Sequence, residues 1–331
     1  GHSSFIVVRW SAMKRLQSLD LPGIADFINS GFCKSVVVLT GAGVSTGAGI
    51  PDFRSPGGLY STLRPELLTA TEEQRMWMRM DPSAVVSKQI FAANQFPYME
   101  VRRPFILGTQ NREWKSTLSH WFLKFLEDEG LLTRLFTQNI DGLDYHTGIS
   151  RDLVCNVHGS IAKISCEECG AEMSFDDFCE EVRTHIKDIY DMDASAPAES
   201  SNIFCPSCRR PSVKPSTVLF GSALPREFSV LARDLPQADL LIVAGTSLVV
   251  SPANSVVQRV GSECPRLIVN MEPVGENLGI EYGSSSRRDV FVGGSCDAVF
   301  LELMTLLGWQ DKVRQIADLL PESGKALVQN L

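Results

Sequence analysis

The sequence predicts an α/β fold in which a doubly wound, Rossmann-like parallel sheet carries a smaller second domain. Short apolar runs rich in β-branched residues recur along the chain, as expected of parallel strands that are buried on both faces. Stretches with apolar residues at helical spacing lie between several of these runs. Two segments, 60–115 and 160–215, interrupt the alternation and are predicted to be insertions that form the smaller domain.

Each predicted element follows from its residues. The predicted strands are the apolar runs Ser35–Leu39, Leu132–Thr137, Leu240–Ala244, Leu267–Asn270 and Val290–Val292. Apolar residues three or four positions apart predict helices over Ser116–Glu129 and Cys296–Leu307. Within the insertions, residues 71–81 predict a helix, 94–105 an irregular segment and 191–202 a mobile loop. The large domain is predicted from residues 15–59, 116–157 and 216–310, and residues 311–331 form a C-terminal helical extension.

The composition is that of an ordinary globular protein. The chain has 331 residues, 44% of them hydrophobic, and a formal net charge of −8. This charge disfavours a surface built for nucleic acid or anionic lipid and suits a basic partner such as a lysine-rich peptide. No apolar run approaches the ~20 residues needed to span a bilayer. We therefore expect neither sequence-specific nucleic-acid binding nor membrane insertion.

The cysteines indicate a metal site. Nine cysteines in a chain of this length do not resemble a secreted disulfide scaffold, and four of them form two CxxC pairs. Cys166, Cys169, Cys205 and Cys208 can supply four thiolates to a tetrahedral zinc ion. Because no coordination position would remain open for water, one structural Zn²⁺ per chain and a small zinc-ribbon and helical domain are predicted. Unpaired thiols predict a reducing intracellular compartment, cytoplasmic or nuclear in preference to mitochondrial.

A glycine-rich turn follows the first predicted strand. Gly41, Ala42 and Gly43 place backbone N–H groups where a pyrophosphate could approach, ahead of a predicted helix N-terminus. Thr46 stands where the usual dinucleotide fingerprint has glycine or alanine, and no acidic residue follows a clear second strand about 20 residues on. A simple dehydrogenase is therefore disfavoured, and a tight turn without a ligand remains the alternative at this point.

A longer stretch that contains this glycine-rich turn carries a more specific signal. GAGVSTGAGIPDFRS, residues 41–55, resembles the first signature of the sirtuin family of NAD-dependent protein-lysine deacylases. TQNIDGLD (137–144), VCNVHGS (154–160), KPSTVLFGSALP (214–225) and AGTSL (244–248) resemble further motifs of that family, in the expected order. The residues of these motifs are most similar to those of the deacetylase branch of the family. Three departures are Leu219 for a phenylalanine, Ser222 for a glutamate and Ser295 for an aspartate.

The resemblance implies specific site residues. His158 is implied as the catalytic base and Asn139 as a second catalytic residue. The 218–221 stretch, Val218, Leu219, Phe220 and Gly221, is implied to bind the acyl-lysine peptide by strand addition. The implied NAD-contacting positions are Gly41, Ala42, Gly43, Thr46, Ile50, Asp52, Phe53, Arg54, Gln138, Asn139, Ile140, Asp141, Gly245, Thr246, Ser247, Asn270, Glu272 and Cys296.

The family chemistry is transfer of an acyl group to ADP-ribose with release of nicotinamide. The resemblance implies that the acyl-lysine oxygen attacks the ribose of NAD⁺, the co-substrate, after which His158 assists a ribose hydroxyl. Acyl-lysine proteins or peptides, histone or non-histone, are the implied partners, and the oligomeric state is left open. Two alternatives are a sirtuin-like mono-ADP-ribosyltransferase and a non-catalytic zinc-ribbon scaffold that binds NAD or peptide. Retention of His158 and of the 218–221 stretch disfavours both.

Overall fold

Parallel strands form the centre of the molecule. The structure is a computed structural model that describes residues 16–52, 57–329 and 331. Its strands are β1 (Val36–Thr40), β2 (Leu132–Thr137), β3 (Val154–Asn156), β4 (Gly159–Cys166), β5 (Glu172–Met173), β6 (Val213–Thr217), β7 (Leu240–Ala244), β8 (Arg266–Asn270) and β9 (Asp289–Gly293). Among the described residues, six of these strands form one parallel sheet in the order β3-β2-β1-β7-β8-β9. The predicted doubly wound sheet is confirmed.

Helices cover this sheet and build the insertions. Their bounds are α1 (Leu21–Asn29), α2 (Glu72–Met80), α3 (Lys88–Ala93), α4 (Phe96–Gln110), α5 (Leu118–Asp128), α6 (Leu143–His146), α7 (Phe175–His185), α8 (Leu231–Asp234), α9 (Cys296–Leu306), α10 (Gln310–Ile316) and α11 (Glu322–Val328). None of the helices within the described ranges is both long and apolar enough to cross a bilayer.

Alternate residues of β1 enter two different cores. Val36 and Val38 pack with α1, α5, α9 and α10 on one face of the sheet. Val37 and Leu39 pack on the other face, against the chain between residues 228 and 280. All five residues of β1 are buried, which is why the strand is a continuous apolar run rather than an alternating one.

The connection between strands reverses direction beside β1. From β1 the chain proceeds outward through β2 to β3, whereas β7, β8 and β9 extend from the other side of β1. In an open parallel sheet, ligands bind at such a switch point, outside the carboxyl ends of the strands. We call this side of the sheet, where all six strands end, the carboxyl edge.

The inserted segments share a third hydrophobic core. Its buried members come mainly from residues 68–107 and 161–213, with Ile140 and Leu219 joining from the carboxyl edge. A small antiparallel sheet in the order β5-β4-β6 belongs to this part of the chain. Because β4 starts at Gly159, the small sheet extends directly from the edge of the large one.

The prediction of an irregular segment over residues 94–105 was wrong. Residues from Phe96 onward form the long helix α4, with Pro97 in its first turn and Pro104 inside it. A proline in the first turn removes no helical hydrogen bond, because the first N–H groups of a helix have no intrahelical acceptor. Burial of ten of the fifteen residues of α4 offsets the bond that Pro104 removes.

The stretch predicted as a mobile loop is anchored by buried side chains of α4. Ser200 donates to the Glu100 carboxylate at 2.6 Å, and the fully buried Glu100 also accepts the Thr69 amide at 2.9 Å. Arg103 forms an ion pair with Asp193 at 2.6 Å and donates to the Ile186 carbonyl at 2.9 Å. Polar composition predicted mobility here, but these contacts tie the loop to the helix.

Candidate active site and metal centre

The turns that follow the strands meet at the carboxyl edge. Gln138 connects two of them, because its amide N–H donates to Thr40 at 2.9 Å and its side chain donates to Thr246 at 3.0 Å. After β8 and β9, the Gly294 amide donates to the Asn270 carbonyl at 3.1 Å. Residues at the ends of β1, β2, β7, β8 and β9 therefore share one crevice at this edge rather than being scattered over the surface.

The floor of this crevice is a contact between two backbones. Gly43 donates to the Gly245 carbonyl at 2.8 Å, and a Cβ added to Gly43 would lie 2.6 Å from the Gly245 Cα. Gly245 itself has φ +61°, a conformation that L side chains rarely adopt. The glycines of the first and fifth motifs are thus required by each other, since a side chain on either would force the strand ends apart.

The turn after β1 is not the predicted helix N-terminus. Ala42–Val44 and Thr46–Ala48 form two successive 3₁₀ turns, and the second ends at Gly49 with φ +89°. The expected α-helix was wrong because the short-range bonds of the glycine-rich sequence close each turn after three residues. The turn is held from outside by Thr117, whose hydroxyl donates to the Val44 carbonyl at 2.8 Å.

Three buried polar side chains join the first two motifs. Ser45 donates to the Asp141 carboxylate at 2.7 Å, and Asn139 donates to Ser45 at 3.1 Å and to the Gly41 carbonyl at 3.0 Å. The second Asp141 oxygen accepts the Leu143 amide at 2.9 Å. The network fixes the positions of Asn139 and Asp141 relative to the first turn.

His158 lies at the end of β3, beside the Gln138 turn. Its Nδ1 lies 3.0 Å from the Gln138 carbonyl oxygen, which can only accept, so Nδ1 carries the proton. Nε2 is then the basic nitrogen. Burial lowers the pKa of His158 from its ordinary value of 6.5, and the hydrogen bond to Gln138 opposes this shift. The imidazole is neutral at pH 7 and can accept a proton at Nε2.

The 218–221 stretch lies between His158 and the residues around the start of α3. The Val218 amide donates to the His158 carbonyl at 2.9 Å. On its other side, Phe220 donates to Val86 at 3.0 Å and accepts from Lys88 at 2.9 Å. Leu219 is buried in the third core, whereas the Phe220 side chain is 40% exposed and Gly221 has φ +91°. Successive side chains of the stretch therefore differ in environment, Leu219 in the third core and Phe220 partly in solvent.

Four cysteines converge at the tip of the small sheet. The Sγ atoms of Cys166 and Cys208 are 3.6 Å apart, those of Cys169 and Cys205 are 3.7 Å apart, and all four lie within 4.8 Å of one another. Tetrahedral zinc with Zn–S bonds of ~2.3 Å requires sulfur atoms about 3.8 Å apart. The observed spacing fits that geometry. Zinc held here has four thiolate ligands and no open position, so its role is structural.

Two similar turns present these thiols. The Gly170 amide returns to the Cys166 carbonyl at 2.9 Å, and the Arg209 amide returns to the Cys205 carbonyl at 3.0 Å. Both residues have positive φ, +73° and +60°. Each CxxC pair is therefore preorganised by its own backbone.

Comparison with known proteins agrees with this geometry. A family model described as the Sir2 family matches residues 41–252. The chain belongs to the Sir2 family. The NAD-dependent protein deacetylase sirtuin-2 of Danio rerio is 35% identical over 323 residues, covering 92% of this chain and 76% of that protein. The NAD-dependent protein deacetylase sirtuin-3 of Mus musculus is 33% identical, covering 93% and 82%.

Other relatives extend the match. The NAD-dependent deacetylase sir2A of Dictyostelium discoideum is 37% identical, but this chain covers only 52% of its length. A solved structure from work on the mechanism and regulation of Sir2 enzymes superposes with a TM-score of 0.63 at 25% identity. That match covers 87% of this chain and 98% of the other. The fold is therefore that of Sir2 proteins.

The predicted ligand-contacting residues of this Sir2 chain differ in their exposure. Ser247, Glu272 and Thr46 are exposed at the rim of the crevice. Cys296 is buried with its thiol 4.0 Å from the Val269 carbonyl, which leaves its backbone as the part that can face a ligand. Ile50 and Asp52 are half-buried, whereas the predicted residues Phe53 and Arg54 lie outside the described part of the chain.

Sequence reasoning missed several supporting residues of this Sir2 site. Ser45 lies in the first motif, yet nothing in the sequence indicated that it would bind Asp141. Asp144 is fully buried behind the site, and burial raises the pKa of its carboxyl group to about 6. The nearest signal was its position in the second motif. Lys214 lies in the fourth motif, whose sequence predicted no role for it, and the structure buries it completely.

Proposed function

We propose that this chain is an NAD-dependent protein-lysine deacetylase that transfers the acyl group to ADP-ribose and releases nicotinamide. The observation that carries the proposal is the placement of His158, with a basic Nε2 and a backbone bond to the 218–221 stretch. A base and a peptide-binding backbone in direct contact suit a reaction between a peptide and a second substrate. The names of the relatives support the same activity.

NAD⁺ is proposed to bind along the carboxyl edge. The bare backbones of Gly43 and Gly245 allow a close approach of phosphate, and Gln138, Thr246 and Asn270 offer polar groups for ribose hydroxyls. When bound, NAD⁺ supplies a ribose carbon that becomes electrophilic as nicotinamide departs. Asn139 and Asp141 would hold the nicotinamide ribose and carboxamide, because their network fixes both side chains next to the first turn.

His158 is proposed to act as the general base toward a ribose hydroxyl. Its Nδ1–H bond to Gln138 fixes the ring and leaves Nε2 as the acceptor. A neutral imidazole accepts a proton without first having to lose one, and positioned acid–base groups typically contribute ~10²–10⁴-fold in rate. The Gln138 carbonyl also stabilises the cation that forms when Nε2 is protonated.

The 218–221 stretch is proposed to hold the acyl-lysine peptide. Phe220 already uses both backbone groups with Val86 and Lys88. No backbone hydrogen bond within the described residues uses the amides of Leu219 and Gly221. These two amides are the donors to which we propose that a peptide strand adds.

The finer specificity is also proposed. Acetyl-lysine is the expected preferred group, in line with the deacetylase names of the relatives, and longer acyl chains are expected to react more slowly. The zinc ion is proposed to stabilise the small domain without contact to the reacting atoms.

The test is a reaction with NAD⁺ and a panel of peptides that carry acetyl, succinyl or longer acyl groups on lysine. Mass spectrometry should detect the deacylated peptide together with nicotinamide and O-acyl-ADP-ribose. His158→Ala should lower kcat by at least ~10²-fold, while His185→Ala, a histidine in the small domain, should retain activity. Absence of nicotinamide release with every peptide would contradict the proposal, and transfer of ADP-ribose to protein would favour the transferase alternative.

A further inference from the structure

A buried ammonium group lies directly behind the peptide-binding stretch. Lys214 is fully buried, and its Nζ donates to the Thr217 carbonyl at 2.7 Å and to the Pro215 carbonyl at 2.9 Å. The third contact is an ion pair of 2.8 Å with Glu167. An ammonium group has three N–H donors, and these three acceptors use all of them. A lysine this well paired is built into the structure at a defined position.

The peptide unit between Thr217 and Val218 is held at both ends. Its carbonyl accepts from Lys214, and its N–H donates to the His158 carbonyl at 2.9 Å. A peptide unit is planar, so fixing the carbonyl also fixes the direction of the N–H. A charged donor at the carbonyl also polarises the peptide unit, which strengthens the hydrogen bond from the Val218 N–H to the His158 carbonyl.

Strand pairing alone does not fix this peptide unit. The ladder between β4 and β6 is regular near Cys166, but its register shifts between Gly159 and Ile164. Gly159 has φ +81°, and a side chain there would collide with the Ser216 carbonyl. The end of β6 nearest His158 is therefore the irregular one, and this is where the Lys214 ammonium binds.

Glu167 connects this lysine to the metal centre. It lies in the sequence between the ligands Cys166 and Cys169, so the turn that holds the thiols also holds the carboxylate. A change in that turn would move the counter-ion of Lys214.

We propose that Lys214 is a positioning residue for the reaction. Its ammonium group fixes the Thr217–Val218 peptide unit, so that His158 and the 218–221 stretch keep one relative placement. Through Glu167 it makes this placement depend on the folded metal turn. This proposal rests on the proposed deacetylase function, and it concerns the peptide substrate rather than NAD⁺.

The test compares Lys214→Met with Tyr98→Phe. Methionine retains an unbranched side chain that reaches as far as Cε, but it lacks the ammonium group and its donors. Tyr98 is also fully buried, and its hydroxyl bonds the Thr217 hydroxyl at 2.7 Å, so Tyr98→Phe removes a neighbouring bond without touching the peptide unit. We expect Lys214→Met to raise the peptide KM at least tenfold and to lower kcat, while the Kd for NAD⁺ changes less than twofold. Tyr98→Phe should leave the peptide KM within twofold of the parent.

Equal changes in KM for the two variants, or an unchanged KM in Lys214→Met, would overturn the proposal. If Lys214→Met does not fold, Glu167→Ala decides, because that side chain is partly exposed and its removal frees one donor of the ammonium group. We expect Glu167→Ala to raise the peptide KM at least threefold, and an unchanged value would overturn the role of Lys214.

A second measurement separates this proposal from the proposed function. Residue-resolved hydrogen exchange measured by NMR reports the Val218 amide directly and requires no turnover. Exchange at Val218 should accelerate at least tenfold in Lys214→Met and stay unchanged in Tyr98→Phe. If the parent protein has no deacetylase activity, the proposed function fails while this exchange result still tests the contact.

Discussion

Ser45→Ala tests whether the buried network at the carboxyl edge positions the groups that bind NAD⁺. Ser45 is 1% exposed and contributes one donor to the Asp141 carboxylate and one acceptor to Asn139. Alanine removes both, and leaves a carboxylate oxygen in a site that water reaches poorly. The substitution adds no atoms, so its effect comes from the lost bonds.

The size of the effect follows from the Asp141 carboxylate oxygen that loses its hydrogen-bond donor. Leaving a buried acceptor without its donor costs about 1–3 kcal/mol, and more for a charged group. The same free energy corresponds to a change of about 5- to 150-fold in a binding or rate constant. We expect the free energy of unfolding to fall by about 1–3 kcal/mol and kcat/KM for NAD⁺ to fall about 5- to 150-fold.

The assay combines urea unfolding with steady-state kinetics. Ser35→Ala is the matched control, because Ser35 bonds Thr133 at 2.7 Å just before the opposite end of the same strand. It should lower stability without changing kcat/KM for NAD⁺. A double-mutant cycle with Asp141→Asn completes the test: effects that add within about 0.5 kcal/mol would refute the idea that Ser45 and Asp141 act as one unit.

Two further predictions concern the metal centre and pH. Removal of zinc by a chelator, or Cys166→Ala, should destabilise the small domain and lower the melting temperature. Cys179 is a buried cysteine outside the cluster, so Cys179→Ala should retain one zinc per chain. An unaltered melting profile of the chelated protein would contradict a structural metal. Because burial lowers the pKa of His158 below 6.5, the active neutral form is present above that pKa and is lost as the pH falls through it. A plot of kcat/KM against pH should therefore be level near neutrality and fall on the acid side with a midpoint below 6.5, and a midpoint above 6.5 would show that the pKa is raised instead.

The sheet was predictable because its strands are buried on both faces. β2 and β7 begin and end where the apolar runs do, and β1 differs from its prediction by one residue. The short strand β3 was not predicted, since its sequence VCN ends in a polar residue and gives no continuous apolar run. Helix α4 was not predicted, because burial of most of its residues, rather than a clear apolar pattern at helical spacing, determines its structure.

The site could be predicted only as far as motifs identify residue types. Motifs indicated Asn139, Asp141 and His158, but not the residues that fix them. Ser45 lies 94 positions from Asn139 and 96 from Asp141, and Gln138 lies 20 positions from His158. Such pairings depend on how strand ends are arranged in three dimensions. Lys214 is a sharper case, because a lysine in a sequence predicts an exposed charge and only the fold shows three acceptors around it.

The backbone contact between Gly43 and Gly245 limits how this crevice can change. A floor made of main chain has no rotamers, so it cannot reshape itself around a bulkier or differently charged ligand. Differences in ligand preference must then arise at the rim of the crevice, where Ser247 and Glu272 are exposed to solvent. Attempts to redesign the protein for an altered dinucleotide should begin with those two positions and keep both glycines.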